Sequence, residues 1–346
     1  MQAVAKRSFI ATLTAGAVVV GALALWELKL ILALLFMGMI IAAAMRPGVD
    51  WLRRHSVPRG VGVLIHYFAL IALVGLFLYL VVPRATNQVR DAIKNLPTAK
   101  KHSHGIKRDI LVWIDKRLKD LPSGGKLFHL GTEVGKRAFE VVIGIFFTLA
   151  VAAYWIFERK RLERVILSVL PTRSRRVFRD TWELIDLKLG AFVRGQLILI
   201  LLVGTVLSLL FWIVGLPYWL LAGSFAGVVE IIPVIGPLVA GAVAIGLGIT
   251  ASWHVALAAG LCVLGVRLLE DYVIIPKVLG EAVGLSPLIV LISVVVVEIL
   301  FGGFAVLLAV PFAAVITTLV DVVVLNKNPA DEEVPSVIFS PGEAET

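Results

Sequence analysis

The chain has 346 residues, of which 59% are hydrophobic and 16% charged, with a formal net charge of +9 and a mean hydropathy of +0.96. Soluble globular domains carry roughly 25% charged residues, so that class is excluded. Apolar runs approaching the ~20 residues that span a bilayer predict an all-α, polytopic membrane protein with about eight hydrophobic segments. The basic residues lie in the gaps between those runs. That placement fits topology signals and anionic headgroups and argues against a nucleic-acid-binding face. Cys262 is the single cysteine, which excludes an internal disulfide and a cysteine-based metal site.

Lys6 and Arg7 precede the apolar run Phe9 to Leu25, and Leu30 to Met45 follows after only four residues. The pair reads as a transmembrane hairpin; a cleavable signal peptide is the alternative. The stretch Arg46 to Arg59 holds four arginines and reads as a cytoplasmic loop, with the N-terminus on the same side. Gly60 to Val82 is a third span, completing an N-terminal unit of residues 1–83. His66 within it reads as hydrogen-bonded inside the bundle. Residues 84–137 are too polar to enter lipid and carry 13 basic residues. Ile106, Ile110, Ile114 and Leu118 recur every four residues, the mark of an amphipathic helix in an extramembrane segment. His102, His104 and His129 read as solvated rather than as metal ligands. Ser123 to Lys126 is no phosphate loop, because Asp120 stands where that motif needs glycine.

The transport core is predicted over residues 138–325. Ala138 to Phe157 is the fourth span. Residues 158–194 carry ten Lys/Arg, with Phe178, Trp182, Ile185 and Leu189 periodic, and predict a helix lying at the interface with its apolar face in lipid. Pro171 breaks it from the stretch before. Leu197 to Val214 is the fifth span. Gly223 and Gly227, four apart, give one helix face that another backbone can approach closely. Val255 to Leu269 is a further span, ending among Arg267, Glu270 and Asp271.

Two stretches, near residues 216–250 and 286–325, are apolar but interrupted. In the first, Glu230 stands before Pro233, Gly236 and Pro237. The prolines remove backbone donors and disfavour helix at the residue before each. Irregular backbone at membrane depth is tolerated only where protein or a water-filled cavity satisfies it. Interrupted helices of secondary transporters have this form; a tight turn between two short packed helices is the alternative. The second stretch repeats the pattern, with Glu298 before Gly302 and Gly303 and with Pro311 beyond. An odd number of crossings between the two would set them in opposed orientations, one way to build alternating access. Glu230 and Glu298 are therefore expected to face a polar cavity, with at least one carrying a coupling proton; a structural role in capping freed backbone is the alternative. Arg194, Arg267, Glu270 and Asp271 are candidate gate ion pairs, or anchors of helix ends. Residues 326–346 are polar, acidic and expected to be disordered.

Pro47 with Trp51-Leu52, Gly190 to Gln196 (GAFVRGQ), Ile232 to Pro237 (IPVIGP), Pro276 to Gly280 (PKVLG), Gly284 to Pro287 (GLSP), and Phe301-Gly302 with Ala309 to Pro311 occur in that order. Together they resemble the autoinducer-2 exporter family of bacterial permease-like membrane proteins, over nearly the whole chain and best over 188–320. The resemblance implies eight hydrophobic segments, homo-oligomers and export of small molecules. Members have been linked to autoinducer-2 efflux and others to sodium–proton exchange. Two positions depart from the pattern: Glu230 stands where an amide is common, and Glu298 where small or apolar residues are usual.

The expected function is a secondary transporter in the inner membrane that moves a small polar solute or an ion. It would be driven by a proton or sodium gradient, contact membrane lipids, and need no cofactor or metal. An intramembrane enzyme would need a clustered nucleophile and base, or a metal set such as H-E-x-x-H, and the apolar runs contain neither. A scaffold or lipid-binding protein using the basic 158–194 stretch is the other reading.

Overall fold

The computed structural model describes residues 2–101, 112, 124–232, 235–275 and 285–332, and these are helical with no strand among them. The helices are α1 (Gln2–Glu27), α2 (Lys29–Arg54), α3 (Arg59–Lys101), α4 (Gly124–Val169), α5 (Thr172–Ile213), α6 (Trp219–Val229), α7 (Ile235–Ala251), α8 (Trp253–Leu269), α9 (Pro287–Phe301) and α10 (Ala309–Val323). A π-helical turn, Glu270–Ile274, extends α8, and 3₁₀ turns occupy Gly303–Leu308 and Pro329–Asp331. Among the described residues, five helical stretches are long and apolar enough to cross a membrane: Lys29–Arg54, Arg59–Gln88, Phe139–Val169, Thr172–Ile213 and Gly303–Val323. Large apolar side chains such as Phe68, Tyr79, Phe146 and Trp253 point outward and are mostly exposed. A water-soluble monomer rarely presents apolar surface on that scale; against lipid it is the expected outer face.

α5 is the central post. α6 folds back along it in antiparallel fashion, with α7 and α8 completing one core around Val203, Leu207, Phe211, Ala226, Ala240 and Val263. α2, α9 and α10 close a second core through Ile40, Ala43, Leu189, Val297 and Ala309. The expected close approach at Gly223 and Gly227 is made against α5. A Cβ on Gly227 would stand 2.7 Å from the Ile200 carbonyl oxygen, and one on Gly223 would stand 2.5 Å from Ser208 Cα. Small residues let the two backbones touch where apolar burial gives no drive inside lipid.

The structure departs from the sequence expectations in four places. The first two apolar runs do not form a hairpin. Leu28 alone joins α1 to α2, and hydrogen bonds run through the junction from Leu28 N–H to Ala24 O and from Leu32 N–H to Leu28 O. Thr12 to Leu28 stay exposed, so α1 leads into α2 end to end. The four-arginine loop shrinks, because α2 continues through Pro47 to Arg54. The helix of residues 158–194 does not stand apart. Its first part continues α4 and its second part, beyond the break at Leu170-Pro171, is the start of α5. Its apolar face meets protein rather than lipid, with Trp182 stacked on Trp155 of α4 at 5.9 Å between ring centroids and Phe178 beside it at 5.6 Å. The tail is ordered at its beginning: Pro329 is buried against α5, and Glu332 Oε1 lies 2.5 Å from Lys188 Nζ. The periodic isoleucines of residues 106–118 and two of the three histidines lie outside the described residues.

Candidate functional site

The site forms where α6 ends, α7 begins and α8 runs out. α6 closes at Glu230, whose N–H donates to Ala226 O at 3.1 Å, and Ile232 N–H bonds back to Val229 O at 3.0 Å. Gly236 N–H then donates to Ile232 O at 2.8 Å, which brings the start of α7 directly onto the end of α6. Glycine is needed there: a Cβ would lie 2.1 Å from the Val229 carbonyl oxygen. Pro237 occupies the first turn of α7, where a missing N–H is not needed. Pro233 lies outside the described residues. The break leaves the Glu230 carbonyl without a helical partner, and Gln196 of α5 supplies one, donating Nε2 to that oxygen at 2.9 Å between buried groups.

Arg267, near the end of α8, turns toward this break. Its Nη1 lies 3.7 Å from Glu230 Oε1 and 3.7 Å from Glu270 Oε2, and its Nη2 lies 2.8 Å from Asp271 Oδ1. Residues at i+3 and i+4 share a helix face with residue i, so Glu270 and Asp271 reach Arg267 locally, whereas Glu230 reaches it only through the fold. The Glu230 and Glu270 side chains are 7% and 2% exposed; Asp271 is 42% exposed and opens the cluster to its surroundings. Glu270 also begins the π-helical turn, in which Ile275 N–H bonds to Glu270 O. Such widened turns are frequent at functional sites. The buried oxygen Glu270 Oε1 has no hydrogen-bond partner among the described residues.

Three carboxylates thus converge on one guanidinium. Burying negative charge without a matching positive charge is costly, so the arrangement is suited to holding a proton or a cation. Among the described residues no group of His, Cys, Asp and Glu has metal-site geometry.

Of the residues singled out by sequence, the structure therefore gathers Glu230, Gly236, Arg267, Glu270 and Asp271. Arg194 stands elsewhere, donating Nη1 to Ala44 O of α2 at 3.2 Å. Glu298 lies on α9 with an exposed side chain, one turn before the helix ends. Gly302 has φ +90°, a conformation that L side chains rarely adopt, and it separates α9 from the 3₁₀ turn that begins at Gly303. Pro311 is buried in the first turn of α10.

Sequence reasoning did not find Gln196, although it lies in the GAFVRGQ stretch. It also missed an ion-pair cluster at the ends of α2, α4 and α5. There Arg46 Nη1 lies 2.8 Å from Glu183 Oε1 and 2.6 Å from Asp186 Oδ2, and Arg159 Nη2 lies 2.7 Å from Glu183 Oε2. The available signal was the spacing of Glu183 and Asp186, two carboxylates on one face of a helix start otherwise rich in arginine.

The AI-2E family transporter model matches residues 16–325. The chain belongs to the AI-2E transporter family. Among its relatives, "Putative transport protein YrrI" of Bacillus subtilis (strain 168) is 25% identical over 305 residues, covering 84% of this chain and 85% of that protein. "Putative transport protein YueF" of the same organism is 27% identical over 310 residues, covering 82% of each. This AI-2E family member is therefore a multi-pass membrane protein of a transporter family, as its ordered motifs led one to expect.

Proposed function

We propose that this AI-2E family member is a secondary active transporter of a small polar solute, a signalling molecule like autoinducer-2, or an ion. A proton or sodium gradient drives it, and the Glu230–Arg267–Glu270–Asp271 cluster couples the two. The observation that carries the reading is the charge imbalance at a broken helix: three carboxylates share one guanidinium, two of them almost fully buried. A proton or cation entering the cluster relieves that imbalance and changes which carboxylate Arg267 pairs with. Because Glu230 sits on the hairpin and Arg267 on α8, re-pairing alters how the hairpin is held. Opposed movement of the second hairpin, around Gly302 and Gly303, completes alternating access, and Glu298 is a second coupling candidate there. The protein resides in the inner membrane as a homo-oligomer, uses no cofactor, and performs no catalysis on its cargo.

The test is transport into proteoliposomes under an imposed pH or sodium gradient, with an unbiased panel of polar metabolites. Glutamine keeps size and hydrogen bonding but cannot titrate. Glu230→Gln or Glu270→Gln should abolish uphill transport while substrate exchange continues. If Glu230→Gln, Glu270→Gln and Glu298→Gln all pump normally, the coupling assignment is wrong. If no solute moves under any gradient, the transporter reading itself fails.

A further inference from the structure

The ends of α2, α3, α4 and α5 enclose a cavity of about 350 Å³, well away from the Glu230 cluster. Six cations line it, Arg46, Arg53, Arg54, Arg59, Arg159 and Lys160, and among the described residues the carboxylates in the lining are Asp50 and Asp186. These positive charges are not simply splayed into solvent. Arg159 is 5% exposed, with its Nε 3.3 Å from Asp186 Oδ2, and the buried Nε of Arg59 has no hydrogen-bond partner among the described residues. The internal carboxylates do not neutralise the group. Glu183 and Asp186 are already engaged by Arg46 and Arg159, while Arg59 meets Asp50 only at 3.8 Å. Among the described residues, the side chains of Arg53, Arg54 and Lys160 meet no carboxylate.

We propose that this cavity is a binding site for a phosphate-bearing anion. Guanidinium groups present forked donors that match phosphate oxygens two at a time, and five guanidiniums converge here. Like charges gathered around a concavity repel one another, and a dianion or monoanion placed among them removes that repulsion. The space admits a phosphate ester or a headgroup but not a polymer. Its position narrows the sources to two. Arg46 directly follows the apolar part of α2, and Arg159 and Lys160 follow the apolar part of α4 after Glu158 alone, so the cavity lies at headgroup depth. An anionic phospholipid can reach it from the bilayer side, and a soluble phosphate can reach it from the aqueous side.

The variant that tests this is Arg53→Gln with Arg54→Gln. Both side chains are exposed and unpaired among the described residues, so the fold does not depend on them. Arg164→Gln with Arg173→Gln, exposed and outside the cavity, removes the same charge as a control. Detergent-purified protein is titrated with inorganic phosphate by calorimetry, and separately with short-chain phosphatidylglycerol or phosphatidylcholine by native mass spectrometry. The proposal expects binding of phosphate or phosphatidylglycerol, no matching binding of phosphatidylcholine, and a loss of about tenfold or more in the cavity variant alone. Phosphate binding identifies a soluble anion as the ligand; phosphatidylglycerol binding without phosphate binding identifies a lipid headgroup. Absence of both, or equal losses in the cavity and control variants, overturns the proposal.

Discussion

Replacing Arg267 with glutamine removes the one cation that, among the described residues, Glu230, Glu270 and Asp271 share. Each of the two 3.7 Å contacts to the buried carboxylates is worth about 4–5 kcal/mol of gross attraction at an effective dielectric near 20. Most of that gross figure offsets the cost of bringing the charges out of water. The 2.8 Å contact to Asp271 is closer, yet Asp271 is 42% exposed, and an exposed pair adds at most about 1 kcal/mol. Breaking a buried pair by deleting one partner costs about 3–5 kcal/mol because the other charge is stranded. Arg267 itself is 29% exposed, which places the expected loss at the lower end, about 3 kcal/mol, or roughly a hundredfold in the folded-to-unfolded ratio. The loss should be largely reversed in the double variants Arg267→Gln/Glu270→Gln and Arg267→Gln/Glu230→Gln, which no longer strand the same charge. Thermal unfolding of detergent-solubilised protein, followed by fluorescence-detected size exclusion, measures all four variants, including Glu270→Gln alone. Equal unfolding temperatures for the wild type and Arg267→Gln would refute the pairing. So would additive losses in the double variants, since residues in one network should couple by about 0.5–3 kcal/mol.

Gly190→Val should lower the unfolding temperature in the same assay, because a Cβ at 190 would stand 2.5 Å from the Ala43 carbonyl oxygen and overpacking costs about 1–3 kcal/mol. Lys188 is 5% exposed and reaches Thr318 Oγ1 at 3.1 Å as well as Glu332. Truncation after Lys327 should therefore destabilise the wild type while changing a Lys188→Met background little; equal effects in both would show that the tail contributes nothing through Lys188. In a Cys262→Ser background, a cysteine at exposed His254, in the first turn of α8, should react with an impermeant reagent in intact cells. A cysteine at His55, after α2, should react only once the membrane is opened. Pro237→Ala should abolish transport with near-normal expression, and retained transport would reduce the break to a turn.

Composition alone decided the class of this protein: a chain this apolar, with its charges confined to gaps, has nowhere to fold but in a membrane. Local chemistry also placed the first hairpin's break, because two prolines and a glycine within five residues mark a chain interruption, and it marked Glu230 as a residue at that break. The i+3 and i+4 spacing of Arg267, Glu270 and Asp271 made their mutual contact legible. Hairpin form was less legible at the N-terminus. Four residues between two apolar runs permit a reversal, but Leu28 keeps near-helical geometry and α1 continues into α2. The apolar periodicity of 178–189 signalled a buried face without saying whether lipid or α4 buries it, since both are equally apolar. Only the tertiary structure brought Glu230 to Arg267 and Gln196 to the Glu230 carbonyl, and it alone gathered six cations from three helices around one cavity. Those contacts join residues far apart in the chain. They depend on how closely Gly223 and Gly227 let α6 lie on α5, and on how Gly190 lets α5 lie on α2, which no local pattern specifies.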